Sequence, residues 1–167
     1  MGILLNKVKS VTHTNILVTQ STDGKRQLVI YGNTVDSPKA NTMVLAVPHP
    51  DTVVLHNLSS YPKLFEDCHD CFFRPVTLEE WLNMPRCASS MPKGVLKVVT
   101  VGSYFVSIVP SVEALVRLDR SVFTIAPVAE AVLKATYAGT GLGFVVCRLK
   151  AGNNDYHPFG YSHAILE

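Results

Sequence analysis

Charge is what this sequence has least of. Asp, Glu, Lys and Arg make up 17% of its 167 residues, against roughly 25% in an ordinary soluble domain. The basic side chains are scattered as Lys7/Lys9, Lys25/Arg26, Arg117/Arg120 and Arg148/Lys150, and the formal net charge is +2. Without a basic run or patch there is no footprint for a specific nucleic acid. Long apolar runs are missing too. A membrane-crossing helix needs about 18 or more apolar residues, and the best stretch, 127–147, is interrupted by Glu130 and Lys134, so no membrane span is expected. The opening MGILLNKVKS offers only Ile3, Leu4 and Leu5 before Asn6, too short for a secretory hydrophobic region. An intracellular setting is therefore expected, with the cysteines at 68, 71, 87 and 147 reduced. Asn6 also stands where a myristoylation site wants Ser or Thr. No repeat and no low-complexity tract is visible.

What remains is an apolar chain, 47% hydrophobic, of a length that suits one domain covering 1–167. Residues 11–19 and 27–31 are rich in β-branched types and flank Asp23-Gly24, which predicts a hairpin. Residues 42–47 and 52–57, separated by Pro48-His49-Pro50-Asp51, predict a second one. Pro62 then opens a helix. Thr77-Leu-Glu-Glu80 reads as the capping box of a second. After a loop over 86–94, strands 95–101 and 103–109 turn around Gly102. Residues 112–118 predict a third helix, 121–125 a short strand or extended link, and Pro127 to Gly139 bracket a fourth helix. Strand 143–149, a turn at AGNND and an extended YHPFGYSHAI finish the chain. The expected class is α+β, a single domain with a mostly antiparallel sheet built from hairpins and about four short helices.

Chemistry-bearing residues cluster in few places. FEDCHDCFF (65–73) holds Cys68-His69-Asp70-Cys71. As metal ligands, Cys68 and Cys71 need two further donors, usually a second cysteine pair or a spaced histidine pair; neither exists, so Cys87, Cys147 or His69 would have to complete the site in space. As a redox pair, the first cysteine belongs at a helix N-terminus, whereas Cys68 falls well inside the helix opened by Pro62. The expected reading is a packing helix, with Leu64, Phe65, Cys68, Cys71 and Phe72 on its buried stripe and Glu66, Asp67, His69 and Asp70 outward. No metal and no cofactor is expected. Gly139-Thr-Gly-Leu-Gly143 follows a helix and precedes a strand, the reverse of a dinucleotide fingerprint, and would set a phosphate at the negative end of the helix dipole.

The final segment is the most loaded. On a strand, His157, Phe159, Tyr161 and His163 share a face, with the two histidines about 20 Å apart and unable to share one metal. A hairpin turning near Asn153-Asn154 would set His157 beside Cys147, a possible thiol–imidazole nucleophile pair oriented by Asp155; against it, Cys147 sits in a Phe-Val-Val-Cys run that reads as core. His49, next to Asp51 in a proline-bounded turn, is a lesser candidate. No G-x-S-x-G singles out a serine.

VVLHNLSSYPKLFEDC (53–68), with GFVVCRL (143–149) and YHPFGYSHAIL (156–166), resembles a group of small, poorly characterised proteins of Marseillevirus-type giant DNA viruses of amoebae. The resemblance contains no catalytic motif, so no site residue carries over. It implies a protein made in the host cytoplasm, with the virion or the nucleus as further locations. The expected function is that of a non-enzymatic viral accessory or virion-associated protein, acting through self-association as a homodimer and through contacts with host or viral proteins. One alternative is a small thiol-dependent hydrolase or transferase using Cys147 and His157. Another is a zinc-stabilised module at Cys68 and Cys71.

Overall fold

The computed structural model describes residues 2–71, 86–87 and 94–165, with Cys71, Arg86 and Cys87 described at the backbone only. In chain order the strands are β1 (Gly2–Leu4), β2 (Ser10–Gln20), β3 (Arg26–Ser37), β4 (Asn41–Val47), β5 (Val54–Asn57), β6 (Arg86–Cys87), β7 (Val99–Val101), β8 (Tyr104–Val109), β9 (Gly143–Leu149), β10 (Gly152–Asp155) and β11 (Phe159–Ala164). The helices are α1 (Leu64–Cys71) and α2 (Pro127–Tyr137), and two 3-10 turns cover Pro50–Thr52 and Glu113–Arg117.

Among the described residues every pairing is antiparallel, but there are two sheets rather than one. The first runs β1-β4-β9-β8-β7; the second runs β10-β3-β11-β5-β6, with β2 paired along β3. They lie face to face. Met43, Leu45 and Val47 of β4, Val145, Cys147 and Leu149 of β9, and Val106 and Ile108 of β8 meet Tyr31, Val35, Leu55, Phe159 and Tyr161 of the second sheet in one buried cluster. The alternate residues Val44, Phe144 and Val146 point the other way, into a second cluster roofed by Leu115, Leu118, Phe123 and Leu133. β4 and β9 are thus buried on both faces, which is why TMVLAV and FVVC read as unbroken apolar runs. A smaller cluster of Leu28, Ile30 and Leu58, with Leu64 and Phe65 of α1 against it, covers the outside of the second sheet. Burying each such aliphatic or aromatic side chain contributes about 1.5–3 kcal/mol.

The first hairpin forms as its turn chemistry requires: Gly24 has φ 71°, and Asp23 accepts from the Ser21 hydroxyl and the Lys25 amide, which hold its carboxyl below the usual range. The β7–β8 hairpin turns at Gly102 as expected. α2 starts at Pro127 and is followed by Gly139 at φ 73°.

Several expectations fail for physical reasons. The second hairpin does not exist. β4 pairs with β1 and β9, β5 with β11 and β6, and Pro48 to Thr52 carry the chain from one sheet to the other. Two α-helices occur among the described residues, not about four. The one expected over 112–118 is a tight 3-10 turn of five residues, and the one expected from Thr77 lies outside the described residues. Residues 123–126 are an extended link without a ladder. Among the described residues, no helix is long and apolar enough to cross a membrane.

Candidate functional site

β9 and the terminal strands belong to different sheets, so the ladder that was to bring Cys147 beside His157 is absent. Cys147 faces the inter-sheet core, fully buried, and burial pushes its thiol well above the ordinary range. A group that stays protonated in an apolar core is not a nucleophile. His157 is held elsewhere. Its Nε2 accepts the Ser103 amide at 2.9 Å, so the ring proton sits on Nδ1, 2.8 Å from the Pro158 carbonyl. Both nitrogens are committed to backbone, and neither is left to take a proton from a substrate. The ring stands edge-on to Tyr104 at 5.0 Å, and the Tyr104 hydroxyl donates to the His157 carbonyl at 2.9 Å. The aromatic face of the last segment is real, with Phe159, Tyr161 and His163 in a row of ring contacts, but it is buried in the core.

The α1 stripe also forms: Leu64, Phe65 and Cys68 are half-buried, while Glu66, Asp67, His69 and Asp70 are exposed. Among the described residues, no three His, Cys, Asp or Glu side chains converge closely enough for a metal ion; the side chains of Cys71 and Cys87 lie outside that description. His49 adopts φ 50° where the chain enters its 3-10 turn, and its carbonyl accepts the Thr52 hydroxyl at 2.8 Å. One polar pair escaped the sequence reading. His56 Nε2 lies 3.0 Å from Ser162 Oγ, which also accepts from Arg26 at 3.2 Å. These residues stand 106 and 136 positions apart, so no local spacing announces them, and His56 and Ser162 are buried.

The accessible chemistry lies on the second sheet. Its ladders are interrupted on both sides of Gly32-Asn33. On one side, Thr12 pairs with Thr34 and Asn15 with Gly32, so His13 and Thr14 bulge opposite Asn33. On the other, Asp155 pairs with Thr34 and Phe159 with Tyr31, so three residues face two. Bulges re-aim side chains, and they gather next to functional sites. His13 takes φ 50° there. Gly32 is glycine because Phe65 lies on it: a Cβ would sit 2.7 Å from Phe65 Cε2. Between this opening and α1 lies a cleft of about 730 Å³, lined from α1 by Phe65, Glu66, His69 and Asp70, and from the sheet by His13, Asn15, Asn33, Thr34, Asp155 and Tyr156. That is the size of a small-molecule site. The Thr34 hydroxyl donates to Asp155 Oδ1 at 2.9 Å, which leaves its oxygen to accept from His13 Nδ1 at 3.4 Å.

No family model matches the chain, and no solved structure matches it. Its function therefore rests on its own side chains. The second accessible feature is the edge of β2, which pairs on one side only among the described residues. Its eleven residues are almost all exposed. Val11, Ile16 and Val18 share the face of their register partners Val35, Tyr31 and Val29, yet they are 38, 48 and 52% exposed. β2 overhangs the first sheet.

Proposed function

We propose that this protein works without catalysis, as an assembly component whose β2 edge pairs with the β2 edge of a second copy. The observation that carries the reading is the composition of that edge. Natural sheets guard a free edge with Lys, Pro, an inward charge or a bulge, whereas Ser10–Gln20 reads SVTHTNILVTQ, with no proline and no Asp, Glu, Lys or Arg, and beyond its bulge at His13 and Thr14 it pairs in regular register from Asn15 to Gln20. Eleven residues at about 3.4 Å each present roughly 37 Å of unpaired backbone. Two identical edges meet antiparallel about a twofold axis, which closes the assembly at a dimer. An axis through Leu17 sets Ile16 opposite Val18 of the partner twice over, beyond the bulge at His13, and covers these two of the overhanging apolar side chains. The viral setting, with contacts to host or viral proteins inside the infected cell, rests on the resemblance of residues 53–68, 143–149 and 156–166 to Marseillevirus-type proteins.

Sedimentation equilibrium tests the pairing. The protein is expected to dimerise, and Ile16→Lys with Val18→Lys is expected to give a folded monomer, because both side chains are exposed in the single chain. A wild-type monomer at every accessible concentration, or a double variant that dimerises as tightly as the parent, rules the pairing out.

A further inference from the structure

We propose that the slot between β1 and the overhanging face of β2 receives an extended peptide segment of another protein, which joins the first sheet as a strand beside β1. This goes beyond the assembly reading and does not depend on it, because it uses the edge of β1 rather than that of β2. The two sheets are stacked in one sense. At one side β7 meets β5; at the other, a Cβ on Gly2 of β1 would lie 3.2 Å from the Tyr31 hydroxyl of β3. β1 therefore ends the first sheet above β3, and β2 lies one strand further out, which is why Val11, Ile16 and Val18 stay exposed on the face that looks toward the first sheet. The chain itself closes one end of the slot. Residues 5–9 carry it from β1 to β2, with the Leu5 amide on the Thr42 carbonyl at 2.9 Å and the Lys9 amide on the Asp36 carbonyl at 2.8 Å.

Backbone along the side wall selects the occupant. Among the described residues β1 pairs with β4 alone, and antiparallel pairs alternate between bonded and non-bonded positions. Leu5 bonds to Thr42, so in the register of β1 on β4 the next bonded residue is Ile3, opposite Val44. Gly2 and Leu4 then turn their N–H and C=O groups to the free edge, beside the slot. An acyl chain would leave those groups to water, whereas an extended peptide bonds to them and sets alternate side chains down onto Ile16 and Val18. Stacked sheets lie about 10 Å apart, which one such layer of side chains fills. Charge fixes one end of the segment. Lys7 and Lys9 stand exposed on the connection that closes the slot, and neither Gly2–Leu4 nor Ser10–Gln20 carries an acidic side chain. The segment that fits is apolar at alternate positions and acidic where it meets Lys7 and Lys9.

The experiment is a fluorescence-anisotropy titration of the full chain with two labelled peptides, VTVTVEE and EEVTVTV, which present the acidic end in the two possible strand directions. One of them is expected to bind, and its counterpart with Lys in place of Glu to bind about tenfold more weakly. Lys7→Gln with Lys9→Gln, both exposed, should abolish that preference. Methylating alternate backbone nitrogens of the peptide, on the edge that would face β1, should abolish binding to the unaltered protein, a test that needs no variant to fold. Failure of both peptides to bind overturns the proposal. So does equal binding of the acidic and basic peptides, or of the methylated and unmethylated ones. Displacement by dodecanoate of a peptide whose binding ignores methylation would show that the slot takes acyl chains instead. Dimerisation is read separately by sedimentation, so loss of either result leaves the other standing.

Discussion

Replacing Gly102 by alanine tests whether His157 is a structural clamp. Gly102 has φ 57°, and a Cβ there would lie 2.3 Å from His157 Nε2, 2.6 Å from Cε1 and 3.0 Å from Asn57 Oδ1. The left-handed backbone alone costs an L residue about 1–2 kcal/mol. The methyl group also displaces the ring, and with it goes the Ser103 amide bond to Nε2, worth about 0.5–1.5 kcal/mol. The sum is roughly 2–3 kcal/mol. For a chain of this length that lowers the thermal midpoint by about 5–10 °C. Denaturant unfolding followed by circular dichroism reads the difference, and a double-mutant cycle isolates its cause. With His157→Ala in the background there is no ring to displace, so the cost of the glycine substitution should fall by about 1 kcal/mol. An equal cost in both backgrounds would show that the ring is not what holds the turn, and His157 would again be open to another role.

Two further outcomes follow from titratable groups. Glu130 bridges Lys134 at 3.0 Å and Arg120 at 2.8 Å, and these partners hold its carboxyl below the usual range. A depressed folded value means stability that is present above the unfolded carboxylate pKa and lost as pH falls through the folded one. Because both cations are substantially exposed, Glu130→Gln should cost only about 0.5–1 kcal/mol at neutral pH and nothing at about pH 2; an undiminished difference in acid would refute the ion-pair account. At the other end of the scale, burial pushes Tyr161 up to about 12 and raises Tyr104 and Tyr156 as well. Raised folded values give stability that is complete below about pH 10 and is lost as pH climbs through them. Phenolate absorbance should therefore contain a late phase that coincides with loss of the sheet signal, and ionisation of every tyrosine near pH 10 with intact sheets would contradict it.

Where structure is set within a few residues, the sequence already displays it. Asp23-Gly24 dictates the first hairpin, Gly102 the second turn, Pro127 and Gly139 the ends of α2, and the half-buried stripe of α1 follows its spacing. Pairing between distant segments is another matter. TMVLAV reads as a strand, but nothing local says that its neighbours are residues 2–4 and 143–149 rather than the strand that comes next. The same limit hides the cleft. Only residues 27–31 stand out as strand by their β-branched and aromatic types, whereas β3 continues to Ser37 and it is the neighbouring strands that give way. The walls of the cleft come from β2, β3, α1 and the stretch after β10, and His13, His69 and Asp155 carry no mutual spacing. The polar face of α1 was legible as a face, though not as one wall of a site.

β11 lies between β3 and β5 in the middle of the second sheet, although a long stretch of chain separates it from both. During synthesis, then, β3 and β5 must wait as unpaired edges until residue 164 has left the ribosome, and β4 must likewise wait for β9 before either can fill the space between the sheets. Closing such long loops is slow, and exposed strands in the interval are open to wrong partners. The chain is poorly suited to folding piecemeal as it emerges, so its yield in a cell should depend on chaperone holding and on the concentration of nascent chains around it.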